Sequence, residues 1–192
     1  KEIDRKASFY LLQIKPLIGS SQDFNIDIKD LKKEKLLLYT EKCMGNGQVD
    51  NIYDVIFINR QKFDKSKTLK MVDEISELNM NMVRNNKKYI LIGPGRWGTR
   101  DRWIGIPVTW PQISAAKVIV ETSFDDYPLD ASSGSHFFHN VTTMNVGYFS
   151  VQQGLANNLI AWDVLDRQRI VQETKFFKHV CFEKPLIIKM DG

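Results

Sequence analysis

Tyr89-Ile90-Leu91-Ile92-Gly93-Pro94-Gly95-Arg96-Trp97-Gly98-Thr99-Arg100-Asp101-Arg102-Trp103 is the stretch that decides the fold. A short apolar run, long enough for one strand buried on both faces, empties into a glycine-rich loop carrying arginines and tryptophans. Glycines let backbone N–H groups approach an anion, and a guanidinium matches phosphate with two parallel hydrogen bonds. The other reading of the same loop is structural. Trp97, Trp103 and Trp110 would then fill a core corner while the arginines face water.

Just upstream, Ser66 to Asn85 has Leu69, Met71, Val72, Ile75, Leu78, Met82 and Val83 at helical spacing, with Lys70, Asp73, Glu74 and Glu77 opposite. This predicts a helix that packs Met71, Val72, Ile75, Leu78 and Met82 on a sheet, and crosses over to deliver the strand Tyr89 to Ile92. The methionines of the stretch read as adaptable packing. Further strands are expected at Ser8 to Ile14, Leu36 to Thr40, Tyr53 to Ile58, Lys117 to Glu121 and Val146 to Val151. Phe176 to Phe182 and Leu186 to Met190 read as a final pair of strands joined near Glu183-Lys184-Pro185. Gly45-Asn46-Gly47 reads as a turn, Gln112 to Ala116 as a short helix opened by Pro111, and Leu159 to Asp166 as a helical turn or two. The expected class is α/β or α+β, a mixed β-sheet with a few packing helices.

At 192 residues the chain can bury a sizeable core. Its formal charge of +4 is mild, and acids interleave with bases throughout, as in Lys29-Asp30-Leu31-Lys32-Lys33-Glu34-Lys35. That pattern marks a solvated face, and no nucleic-acid partner is expected. No apolar run approaches the roughly 18 residues of a membrane helix, and no signal peptide is visible, so no membrane partner and a cytoplasmic setting are expected. Cys43 and Cys181 lie far apart in apolar surroundings and read as buried free thiols. Both ends of the sequence look cut, as in a piece of a longer chain.

Gly93-x-Gly95-x-x-Gly98 satisfies the spacing of a dinucleotide fingerprint, and Glu121 sits near the offset of its ribose-binding acid. The context opposes it, because Gly105, Pro107 and β-branched residues follow where the helix should begin. His136 and His139 are three apart with neither cysteine near, so no metal site is expected. His136, after the flexible Gly134-Ser135 pair, is a candidate phosphate ligand or phosphoryl acceptor; the structural reading seats it between Phe137 and Phe138. His179, in an apolar strand, reads as structural. Asp125 and Asp126 could hold Mg²⁺ beside a substrate phosphate, or simply line a surface turn.

Two segments resemble a known family. Phe9-Tyr10-Leu11-Leu12-Gln13-Ile14-Lys15-Pro16 looks like the closing strand of the ATP-grasp domain of phosphoenolpyruvate synthase and pyruvate phosphate dikinase, whose pattern is Leu-Gln-x-Arg-Pro. Gln13 matches, and Lys15 keeps the charge of the arginine while losing its fork. The run from Tyr89 through Ile106-Pro107-Val108 and Ile113 to Glu121, then Gly134-Ser135-His136-Phe137-Phe138, is similar to the C-terminal region of large phosphoenolpyruvate-synthase-like proteins. The resemblance implies that residues 1–18 close a truncated ATP-grasp domain and that 25–192 form a C-terminal α/β domain. It implies an ATP-dependent phosphotransferase as parent, with ATP and Mg²⁺ as the parent's cofactors and a phosphorylated small molecule as ligand. Gly93, Gly95, Arg96, Gly98, Arg100 and Arg102, with Gln13 and Lys15, become the phosphate or nucleotide-binding candidates, and His136 the catalytic one. The chain has no Thr-x-His phosphohistidine motif and is too short for the family's barrel, so it is not expected to complete phosphoryl transfer alone. The alternative is a non-catalytic regulatory or partner-binding domain attached to such a kinase.

Overall fold

The computed structural model of the chain describes residues 35–124, 127, 129 and 143–191. In chain order its strands and helices are β1 (Leu38–Thr40), β2 (Cys43–Met44), β3 (Asn46–Ile58), α1 (Thr68–Arg84), β4 (Tyr89–Pro94), β5 (Arg96–Trp97) and β6 (Gly105–Ile106). There follow β7 (Ala116–Thr122), β8 (Gly147–Val151), β9 (Asn158–Ile160), α2 (Trp162–Asp166), β10 (Arg169–Glu173) and β11 (Phe177–Asp191). A seven-stranded sheet runs in the order β10-β11-β3-β4-β7-β8-β2, beside the small pairs β1-β9 and β5-β6. β3, β4, β7 and β8 are parallel neighbours, whereas β10, β11 and β2 add antiparallel edges. The fold is therefore mixed α/β.

The sheet is buried on both faces because its central strands are apolar at successive positions, which alternate between the faces. Ile56, Leu91, Ile119 and Tyr148 pack on Met71, Ile75, Leu78 and Met82 of α1. Val55, Phe57, Ile90, Ile92, Val118 and Val120 form a second core, closed by Ile160 and by Trp162 and Leu165 of α2. Steps of four, three and four keep the α1 stripe on one line. Leu69, Met80 and Val83 lie off that line and are exposed. Val72 sits at its margin, partly buried.

Asn79, buried on the same helix, fixes α1 against the chain before β7. Its side-chain N–H groups donate to Pro111 O at 3.1 Å and to Ser114 Oγ at 3.3 Å. Its oxygen accepts from Tyr89 OH at 3.1 Å and Ala115 N at 2.9 Å. Burial of the Tyr89 phenol raises its pKa above the ordinary value, so it stays a donor.

Truncating Ile75, which has no exposed surface, to alanine should cost about 2–5 kcal/mol in urea unfolding. A loss below about 0.5 kcal/mol, the ordinary size of a surface change, would mean that this face does not meet the sheet.

Several sequence expectations change. The two final strands are one, β11, and both halves pair with β3 around a register break between Cys181 and Leu186. Glu183-Lys184-Pro185 is a bulge there, where a proline's missing N–H costs no ladder bond. Asn158–Ile160 is a strand before the short α2. A four-residue 3-10 turn, Trp110–Ile113, replaces the helix expected at Gln112 to Ala116. Gly45 takes a φ of 118° between β2 and β3, two strands that do not pair, and Gly47, with a φ of 115°, lies within β3 opposite Met190. Cys43 and Cys181 form no disulfide, and both are half-buried, not buried. The strand expected at Ser8 to Ile14 lies outside the described residues.

Candidate functional site

The arginine loop leaves the carboxyl end of β4, flanked by the carboxyl ends of β3 and β7. Ligands in open α/β sheets bind at that end. Trp97 nails the loop down: it is 1 % exposed, its indole stacks on Phe177 with centroids 6.4 Å apart, and its Nε1–H donates to Val120 O at 3.3 Å. A Cβ on Gly93 would lie 2.2 Å from that indole. The first glycine is therefore where the tryptophan passes the strand.

The backbone amides of residues 95–98 donate within the protein. Gly95 N donates to Thr122 O at 2.9 Å, Arg96 N to Ile104 O at 2.9 Å, and Gly98 N to Ile106 O at 3.0 Å. Trp97 N donates to Glu121 Oε1 at 2.9 Å. Glu121 has no exposed surface, and its other oxygen accepts from Tyr148 OH at 2.5 Å. The acid that sits near a ribose-binding offset is thus a clamp on the loop. Gly95 and Gly98 take φ of 60° and 73°, which side chains rarely adopt. Their amides are not presented to an anion as a cradle, which leaves the arginine side chains as the loop's candidate anion ligands.

Of these, Arg100 and Arg102 are exposed and Arg96 is half-buried. The Arg102 guanidinium lies over the Trp103 ring, 4.9 Å from its centroid, and Trp103 is 52 % exposed. Asp101 Oδ1 accepts from Trp103 N at 2.9 Å, and Asp101 N donates to Thr99 Oγ1 at 3.0 Å. Thr68, at the start of α1, donates from Oγ1 to Arg102 O at 2.9 Å. The tip that carries the charges is thereby tied to the helix. Tyr127 lies beneath it, with Phe63 edge-on at 5.2 Å. Comparisons of the chain with family models, with curated proteins and with solved structures return no match.

Gln13, Lys15, Asp125, Asp126, His136 and His139 lie outside the described residues. His179 is at the opposite end of the sheet, where Asp54 pairs with Tyr89, the first residue of β4. Its Nε2 is 2.7 Å from Asp54 Oδ1, and Lys87 Nζ is 3.4 Å from Asp54 Oδ2. Burial raises the Asp54 pKa, but the contacts with His179 and Lys87 outweigh it and hold the carboxyl below its ordinary value. This is a buried structural cluster, remote from the arginines in the sheet.

Two clefts lie away from the loop. One, of about 290 Å³, is lined by Asn59, Arg60, Asp166 and Lys178, where Asp166 already pairs with Arg60 at 3.3 Å and Lys178 at 2.9 Å. The other, of about 560 Å³, opens at the β11 bulge beside Arg169 and Lys184. The sequence reading missed Glu121 as a clamp and Tyr127 altogether. An acid closing the run Val118-Ile119-Val120 signalled a buried partner for the first; nothing comparable marked the second.

Proposed function

We propose that this chain is the C-terminal part of an ATP-dependent phosphotransferase of the phosphoenolpyruvate synthase and pyruvate phosphate dikinase type, and that it binds phosphate or a phosphorylated ligand at the arginine loop. The observation that carries the reading is a loop clamped by Glu121, Thr122, Ile104 and Ile106 at the carboxyl end of a parallel strand. Charges on a fixed loop lose little freedom when a ligand arrives. Arg96, Arg100 and Arg102 would neutralise phosphate oxygens, with the guanidinium forks giving orientation.

Among the described residues no three His, Cys, Asp or Glu side chains are grouped to hold a metal ion. The reading assigns ATP and Mg²⁺ to the parent's ATP-grasp part, to which Gln13 and Lys15 would belong. His136 enters as the phosphoryl acceptor or as a further phosphate ligand. No helix among the described residues is long and apolar enough to cross a membrane.

Inorganic phosphate should raise the melting temperature of the chain at constant ionic strength. At a hundredfold excess over Kd, mass action contributes about 2.7 kcal/mol, a rise of about 5–10 °C for a domain of this size. The Arg100→Ala/Arg102→Ala double variant should lose most of that rise while melting normally without ligand, since both side chains are exposed. A rise equal in the variant and the parent would remove the loop from the binding site.

A second reading, a non-catalytic domain that recognises a regulatory ligand or partner protein, is favoured by one feature. Trp103 is half-exposed beneath the Arg102 guanidinium, and tryptophan with arginine is typical of interface hot spots. Transfer of label from ATP to the full-length protein separates the two readings, because a regulatory domain predicts none that depends on His136.

A further inference from the structure

Tyr127 holds the observation that the anion-binding reading leaves unexplained. It is 1 % exposed, and among the described residues its hydroxyl is the buried side-chain polar atom without a hydrogen-bond partner. A buried hydroxyl left unpaired is costly, and native proteins keep such groups rarely. Its position gives it a use. A Cβ on Gly95 would lie 2.6 Å from Tyr127 Cε1, so the ring rests directly on the second glycine of the arginine loop. Antiparallel bonds between Phe124 and Tyr127, at 2.9 and 3.0 Å, hold the residue there.

Burial, and then the negative charge of Asp101, raise the pKa of this phenol, so the hydroxyl is a donor throughout the physiological range. Asp101 sits in the loop between Arg100 and Arg102 and is exposed. A phosphate held by those arginines is opposed by the Asp101 carboxylate between them, and, lying on the loop that rests on the Tyr127 ring, it can bring an oxygen to the unpaired donor. We propose that the Tyr127 hydroxyl is a hydrogen-bond donor to the phosphorylated ligand of the arginine loop, an inference that rests on the anion-binding reading above. Tyr127 is then a binding residue that selects an anion reaching under the loop over a counterion resting on its surface.

The test is a pyrophosphate titration of the full chain, followed by melting temperature at fixed ionic strength, for wild type, Tyr127→Phe and Asp101→Asn. Without ligand, Tyr127→Phe should melt at or above the wild-type temperature, because it removes only an unsatisfied group. Its apparent Kd should rise about tenfold or more, the usual loss for a hydrogen bond to a charged group. Asp101→Asn keeps an oxygen for the Trp103 amide, removes the opposing charge and should tighten binding several-fold. Wild-type binding matched by Tyr127→Phe overturns the inference and leaves the loop's role standing. A ligand-free melt several degrees below wild type also overturns it, by giving the hydroxyl a structural partner, as does weaker binding by Asp101→Asn. No response from the wild type itself overturns the anion-binding reading, and this inference with it.

Discussion

Alanine at Gly105 is expected to destabilise the protein by about 3 kcal/mol or more, with or without ligand. Gly105 pairs with Arg96 in the parallel β5-β6 ladder, and a Cβ there would lie 1.9 Å from Arg96 O and 2.6 Å from Arg96 C. No rotamer change relieves a clash with backbone, so β5 and β6 must separate. Separation breaks the bonds from Arg96 N to Ile104 O and from Gly98 N to Ile106 O, and with them the platform under the arginines. Gly154→Ala is the control. Its φ is +85° but nothing lies within 4 Å of the added carbon, so it should cost only the 1–2 kcal/mol or so of a left-handed alanine. Urea unfolding of both variants measures the difference. A Gly105→Ala loss no larger than that of Gly154→Ala would mean that the loop is not held as tightly as its hydrogen bonds indicate.

The contrast also explains what could be read from the residues alone. β4 is legible because four successive apolar positions fit little but a strand buried on both faces, and α1 because Met71, Ile75, Leu78 and Met82 repeat with the helical period. The glycine spacing 93, 95, 98 shows that something passes close to the backbone, and cannot show what. Here it is the Trp97 indole and the chain at Ile104. β10 escaped notice because Arg169–Glu173 is a short edge strand with most of its side chains in water, which leaves no alternation to detect. β11 looked like two strands because Pro185 and its charged neighbours carry turn chemistry, and only pairing of both flanks with β3 makes them a bulge. Asn79, Glu121 and Asp54 share a more general difficulty. A buried polar residue is defined by partners distant in sequence, and a single chain records each partner without recording that they meet.

Asp54 gives the other large effect. Asp54→Ala should cost about 1–3 kcal/mol or more, the loss when a buried hydrogen-bonding group is left without its partner. Asp54 and His179 are 2 % and 6 % exposed, so water cannot readily replace the missing carboxylate beside His179. Lys87, itself half-exposed, loses less. Asp54→Asn, which keeps the shape and one acceptor, should lose less than alanine and should alter the pH profile. In the folded protein this carboxyl ionises below its ordinary value of 3.8, so the unfolded chain binds more protons wherever the two states differ. Stability from Asp54 is therefore complete above that value and is lost as the pH falls through the lower, folded one. The gap between wild type and Asp54→Asn, followed by urea midpoints from about pH 7 down to 3, should stay constant at first and narrow at the acid end. Parallel curves down to the lowest pH would show that the Asp54 charge contributes nothing to holding β3, β11 and the start of β4 together.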